Sequence, residues 1–295
     1  MTDATLVANP SRERRRPGRR RLSLELFVEA VCRPGNWAAT LAYSLGLQGR
    51  LRVSTTSVGN GRRVAAGLPP LRIAFASDFH AGGFTDQRIL VDACQKLTAL
   101  APDVLLLGGD YVSIRAKDIR RLTPLLAAIP AAYGKFGVFG NHDLKSNHGI
   151  VRSELERAGV RLLTNEHVRL NGLFDDISIC GLDDPTHGAP RADLAMDEAT
   201  DTRVVVVHSP DAMHTIGDRP FDLALAGHTH GGQVRLPWGP PIVVPGGPLN
   251  RRYCAGHFDV GHEAPRILLV SHGVGCSGVP VRTFASPEVH LCLIT

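Results

Sequence analysis

Short, mainly apolar runs recur along this chain, and each closes on a polar cluster. Leu71–Ala76 runs into Asp78-Phe79-His80, and Val104–Leu107 into Gly109-Asp110. Gly137–Phe139 runs into Gly140-Asn141-His142-Asp143, Val204–Val207 into His208, and Leu223–Ala226 into Gly227-His228-Thr229-His230. A run with no wet face predicts a strand covered on both sides. Asp86–Leu100 carries helical spacing, with Ile89, Leu90, Ala93, Leu97 and Leu100 on one side; Asp118–Ile129 and Ser153–Ala158 read as helical too. Strands alternating with helices predict a layered α/β domain. The second half adds strand-like runs at Val168–Leu170, Ile177–Cys180, Ile267–Val270 and Val289–Leu293, with only Pro210–Ile216 clearly helical. That predicts a second sheet packed on the first.

The polar clusters are candidate ligand groups. In open α/β sheets, ligands bind beyond the carboxyl ends of strands, where residues far apart in sequence converge. Taken singly, each cluster has an ordinary reading: a polar loop, a turn, a core histidine with its hydrogen bonds satisfied. Five in order, each capping an apolar run, are not explained by turns alone. Carboxylate and amide oxygens suit hard cations, whereas imidazole suits zinc, iron or manganese. Four histidines among the candidates weigh against magnesium, which prefers oxygen and keeps its waters. Side chains at i and i+2 of an extended segment point the same way, so Asp-x-His and His-x-His can each serve one centre. Gly108, Gly109, Gly140 and Gly227 remove bulk where the backbone turns close to that centre. Of the other histidines, His148, His167, His187, His214, His257, His262 and His290 read as surface or structural, while His272 could line the site.

Charge locates a separate segment. Seven arginines lie between residues 12 and 21, against two acids in residues 1–21, so this arm carries the whole net charge of +5 and the rest is balanced. Residues 1–21 are expected to be a disordered Arg-rich arm. Residues 22–70 are expected to be a helical and linker segment, with short amphipathic helices at 22–34 and 37–49 and a Gly/Pro-rich linker at 60–70. The main domain is expected to span 71–295. A neutral body argues against a nucleic-acid partner. Residues 12–51 could make peripheral contact with an anionic membrane. The six cysteines are widely spaced without C-x-x-C, which predicts free thiols in a reducing compartment. Arg19-Arg20-Arg21 is followed by Glu25 and Glu29, which break the apolar region an export signal needs. A cytoplasmic location, peripheral on the inner face of the membrane, is therefore expected over export.

The ordered set Asp-x-His, Gly-Asp, Gly-Asn-His-Asp, a lone His and Gly-His-x-His resembles the calcineurin-like metallophosphoesterases. The phrases GVFGNHD, LAGHTHGGQVRLP and SDFHAGGFTD resemble the bacterial phosphodiesterase subgroup typified by YkuE and YaeI. The resemblance covers about residues 70–295. It implies a four-layer α-β-β-α sandwich of two mixed sheets flanked by helices. It implies two divalent metal ions, manganese, zinc or iron rather than magnesium. Asp78, His80 and His230 would hold the first, Asn141, His208 and His228 the second, and Asp110 would bridge them. A metal-bridging hydroxide would attack phosphorus with His142 as general acid and Asp143 supporting its loop. Where some members carry a second aspartate that orients this histidine, the chain has Ser113. The implied substrate is a small phosphorylated molecule holding a phosphodiester or pyrophosphate, including a lipid-linked precursor. A nucleotide phosphodiesterase, a protein phosphatase and a non-catalytic scaffold are the alternatives.

Overall fold

The computed structural model describes residues 19–59, 61–200, 202–261 and 265–295. Residues 1–18, most of the expected arm, and His262 lie outside the described residues. The strands are β1 (Arg52–Val58), β2 (Leu71–Ala76), β3 (Val104–Leu107), β4 (Lys135–Gly137), β5 (Val160–Leu162), β6 (Glu166–Arg169), β7 (Ile177–Gly181), β8 (Thr202–Val206), β9 (Leu223–Ala226), β10 (Gly256–Asp259), β11 (Ile267–Val270) and β12 (Glu288–Ile294). The helices are α1 (Arg19–Cys32), α2 (Trp37–Ser44), α3 (Arg62–Ala65), α4 (Gln87–Ala99), α5 (Thr123–Ala127), α6 (Asn141–Lys145), α7 (His148–Arg157), α8 (Ala192–Met196), α9 (Met213–Ile216) and α10 (Pro248–Arg252).

One sheet runs β1-β12-β2-β3-β4-β5 and the other β10-β11-β9-β8-β7-β6. Both are mixed: β12 is antiparallel to β2, and β10 and β6 are antiparallel to their neighbours. The apolar runs are apolar throughout because alternate residues enter different cores. In β2, Ile73 and Phe75 face the second sheet, while Ala74 and Ala76 face the layer of α4 and α7. In β9, Leu223 and Leu225 point between the sheets, while Ala224 and Ala226 meet α8 and α9. The expected four-layer sandwich is therefore the observed architecture. Asp86 caps α4 by accepting the Arg88 N–H at 2.9 Å, which satisfies one orphan donor of the first turn.

Several expectations are corrected. The helix expected over Asp118–Ile129 is a 3-10 segment, Ala116–Arg121, followed by α5. Pro124 brings no N–H and disfavours helical backbone before it. The expected linker holds α3, and β1 was not foreseen. Because β1 pairs in parallel with β12, residue 71 is not a structural boundary. Helix α1 starts at Arg19, inside the expected arm; arginine is a good helix former. No helix among the described residues is long and apolar enough to cross a membrane.

Phe75 is fully buried between the sheets. Replacing it with alanine leaves a void there, and Phe75→Ala is expected to cost about 3–5 kcal/mol. Urea unfolding checks this, and an unchanged midpoint would show that the inter-sheet layer does not hold the domain.

Candidate metal centre

The sheets lie so that the carboxyl ends of β2, β3, β4, β8 and β9 meet. Asp78 and His80 leave β2, Asp110 follows β3, Asn141 and His142 open α6 after β4, His208 follows β8, and His228 and His230 follow β9. Main-chain hydrogen bonds cross-link these exits. Asp78 N donates to Gly109 O at 2.9 Å, His80 N to Asp110 O at 3.0 Å, and Gly227 N to His208 O at 2.9 Å.

The extended geometry expected for Asp-x-His and His-x-His is not what brings their side chains together. Asp78, His80, Asp110, His228 and His230 have φ of 54°, 43°, 53°, 70° and 53°. Non-glycine residues rarely occupy this left-handed region, and each costs of order 1–3 kcal/mol. Glycine is required where two exits touch. A Cβ on Gly140 would lie 2.2 Å from Asp110 Oδ1, and one on Gly227 would lie 2.2 Å from Asp78 Oδ2.

The structure brings all seven expected ligands together as two groups that share Asp110. In the first, His80 Nε2 lies 3.0 Å from His230 Nε2 and 3.9 Å from Asp78 Oδ1, and His230 Nε2 lies 3.5 Å from Asp78 Oδ1. In the second, His208 Nε2 lies 3.1 Å from Asn141 Oδ1, 3.1 Å from His228 Nδ1 and 3.3 Å from Asp110 Oδ2. The same Asp110 oxygen is 3.5 Å from His80 Nε2. A cation with bonds of about 2.0–2.2 Å to N and O sets adjacent donors about 3.0–3.5 Å apart. The donor set thus fits two cations with Asp110 between them. His80 Nδ1 is a buried nitrogen without a hydrogen-bond partner.

Burial and charge set the protonation. Burial, with the nearby His142, His208 and Arg282, pushes His80 down to about 3 against the pull of Asp110. His228 and His230 are likewise held well below the usual histidine range by burial and cationic neighbours. Neutral imidazoles are what a cation requires as ligands. For His208, burial is outweighed by the Asp110, Asp78 and Asp184 carboxylates, which raise it to about 10. Its Nδ1 donates to Gly108 O at 2.8 Å, which turns Nε2 toward the centre. Burial lifts Asp78 to about 6, whereas His208, His142 and His80 overcome burial at Asp110 and hold it well below the usual carboxylate range.

His142 borders the donors, its ring edge-on to His80 with centroids 4.8 Å apart and its side chain grouped with His80 and Asp110, whereas Asp143 lies behind them. The His142 N–H donates to Asp110 Oδ1 at 2.8 Å, and its Nδ1 lies 2.6 Å from the Ser113 carbonyl oxygen. A main-chain carbonyl therefore orients His142, while the Ser113 hydroxyl donates to His80 O at 3.1 Å. Asp143 offers no side-chain atom to the centre and reaches it only through main-chain groups. Its Oδ2 accepts from the N–H groups of Asp110 (2.8 Å) and Gly140 (2.9 Å), and its Oδ1 from Tyr111 (2.9 Å) and Val112 (3.3 Å). Burial and the Asp110 charge push its pKa up. Both oxygens nevertheless face only donors, which fixes it as a carboxylate.

Sequence reasoning missed Arg282. This buried guanidinium donates to Gly275 O, Ala285 O and His272 O, and its Nη2 sits 3.2 Å from His230 Nδ1. No motif marks it, and a Val-Arg-Thr run reads as ordinary surface. His272 does not join the donors; its Nδ1 lies 3.1 Å from Ser286 O, and its ring packs against Gly231.

A two-group cage of nitrogen and oxygen donors at joined strand ends of an α/β sandwich defines a metal-binding protein of the two-sheet α/β class. Residues 71–232 match the calcineurin-like phosphoesterase family, and the chain belongs to it; it is a metal-dependent phosphoester hydrolase. It is 30% identical over 234 residues to the metallophosphoesterase YkuE of Bacillus subtilis, covering 76% of this chain and 78% of that one. It is 32% identical over 226 residues to the phosphodiesterase YaeI of Escherichia coli, covering 75% and 80%. It is 27% identical over 279 residues to the UDP-2,3-diacylglucosamine pyrophosphatase LpxG of Chlamydia trachomatis, covering 77% and 84%.

Asp143→Asn places an NH₂ group against two main-chain N–H donors. We expect a loss of roughly 2–4 kcal/mol, measured by denaturant unfolding of metal-free protein. Stability equal to the parent would mean that Asp143 does not organise these loops.

Proposed function

We propose that this enzyme hydrolyses a phosphodiester or pyrophosphate bond in a lipid-linked substrate, with two divalent cations and His142 as general acid. The observation that carries the reading is Asp110 Oδ2, which lies 3.5 Å from His80 Nε2 and 3.3 Å from His208 Nε2. Asp78, His80 and His230 would hold one cation, Asn141, His208 and His228 the other, and Asp110 both. Four imidazoles favour manganese, zinc or iron over magnesium. When bound, the cations supply Lewis acidity toward a phosphoryl oxygen and toward water. His142 keeps Nδ1 against the Ser113 carbonyl, which leaves Nε2 to give a proton to the leaving oxygen. The Asp110 carboxylate accepts the His142 main-chain N–H, so the acid is placed by the group that joins the two donor sets.

Relatives named as a phosphodiesterase and as a diacylglucosamine pyrophosphatase support the bond type and a lipid-linked substrate. All six cysteines are free thiols, which supports work in the cytoplasm, peripheral to the inner face of the membrane.

Turnover of bis-p-nitrophenyl phosphate and p-nitrophenyl phosphate, with manganese, zinc or magnesium restored after chelation, tests the reading. Faster diester hydrolysis with manganese or zinc is expected, and absence of turnover with every cation would refute it. His142→Ala should retain two ions per chain by elemental analysis while losing about 10²–10⁴-fold in kcat. Asp110→Asn should lower the occupancy of both ions together, and two retained ions would remove Asp110 from the bridge.

A further inference from the structure

Exposed apolar side chains are concentrated in three segments of the chain. Of the eighteen large hydrophobic residues exposed among the described residues, seven lie between 26 and 47, four between 236 and 243, and two at 279 and 284. Leu45, Leu236, Ile242 and Val243 are 55–63% exposed, Phe284 is 64% exposed and Trp238 is 99% exposed. These three segments are joined. Arg282 N donates to Leu47 O at 2.7 Å, and Gln48 Nε2 donates to Pro280 O at 3.0 Å. Gln233 Nε2 donates to Val279 O at 3.1 Å, and Arg235 N to Thr283 O at 3.1 Å. Gln233 in turn donates its N–H to His230 O at 3.0 Å, so the rim begins three residues from a candidate ligand.

Two further observations specify the occupant. Phe284 has φ of 54°, a strained backbone that presents a bulky ring to solvent. The rim segments are also poor in acid: residues 34–52, 230–258 and 271–287 hold neither aspartate nor glutamate, yet carry Arg50, Arg52, Arg235, Arg251 and Arg252, while α1 contributes Glu25 and Glu29, the latter paired with Arg33 at 2.6 Å. The rest of the body carries the balancing carboxylates. A tryptophan flanked by aliphatic residues and uncompensated arginines matches the interface of an anionic bilayer, where indole rings sit at headgroup depth and basic residues meet lipid phosphate.

We propose that the 234–243 loop, the 279–284 segment and the α1–α2 pair form one docking surface that seats the metal centre on an anionic membrane. The lipid-linked substrate would then present its phosphate to the centre without leaving the bilayer. This rests on the lipid-linked reading above, but the test separates the two.

The chain has two tryptophans, Trp37 and Trp238, so Trp37→Phe leaves one reporter in the loop. With full-length protein, Trp238 fluorescence should be quenched by bromine-labelled acyl chains in vesicles of phosphatidylcholine containing roughly 30 mol% phosphatidylglycerol. Much less quenching is expected on phosphatidylcholine alone. Trp238→Asp combined with Ile242→Asp should reduce the vesicle-bound fraction about tenfold with an unchanged melting temperature. An unquenched Trp238, binding of the double variant equal to the parent, or a dimer in solution that the variant dissolves would each overturn the proposal. Parent turnover of the soluble diester without vesicles reports on the metal centre alone, so either reading can fail while the other stands.

Discussion

One buried carboxylate ties the site together. Asp143 accepts four main-chain N–H groups, three from the loop after β3 and one from the loop after β4. Through them it fixes the position of Asp110, the residue between the two donor groups. The surrounding candidate ligands depend on the same interlock, because four of them, Asp78, His80, His228 and His230, stand with Asp110 in left-handed backbone. Conformations of this cost persist only where neighbouring structure over-determines them. Here the cross-links from Asp78 to Gly109, from His80 to Asp110 and from Gly227 to His208 do so. The strained turns aim side chains back over the sheet ends, which an extended exit would carry away.

The sandwich makes this arrangement affordable in free energy. Its three apolar layers, one between the sheets and one beneath each helical layer, bury enough surface to hold strand ends rigid. Rigid ends in turn keep three of the four candidate imidazoles, those of His80, His228 and His230, neutral beside two carboxylates. Burial therefore acts twice: it stabilises the fold, and it sets the protonation that makes His80, His228 and His230 ready ligands.

Much of this was legible in the sequence. Runs such as Val104–Leu107 and Leu223–Ala226 are apolar at every position because each strand serves two cores, and the helix after Asp86 showed its apolar face in its spacing. β1 was hidden because Arg-Val-Ser-Thr-Thr-Ser-Val has a largely exposed edge position and no long apolar run. β10 (Gly-His-Phe-Asp) and β5 (Val-Arg-Leu) were hidden because neither has a continuous apolar run. The seven candidate donors stand out in the sequence because carboxylate, amide and imidazole types announce themselves. Arg282 and the carbonyls of Gly108 and Ser113 do not, since a backbone oxygen leaves no trace in residue identity and a buried arginine reads like a surface one. The geometry of Asp-x-His was misread for a related reason: spacing fixes which residues are near, whereas φ depends on tertiary cross-links.

The carbonyl that orients His142 has an evolutionary corollary. A side chain in that role would be held in place by selection on its own codon. The Ser113 oxygen belongs to the peptide, so substitution at position 113 leaves it intact. Selection acts instead on the course of the main chain between Asp110 and Ser113, secured by the Asp143 carboxylate and by the Ala81–Val112 bridge. The alignment of the proposed general acid thus rests on loop shape, while the side chain at 113 answers to a different demand, its bond to the His80 carbonyl.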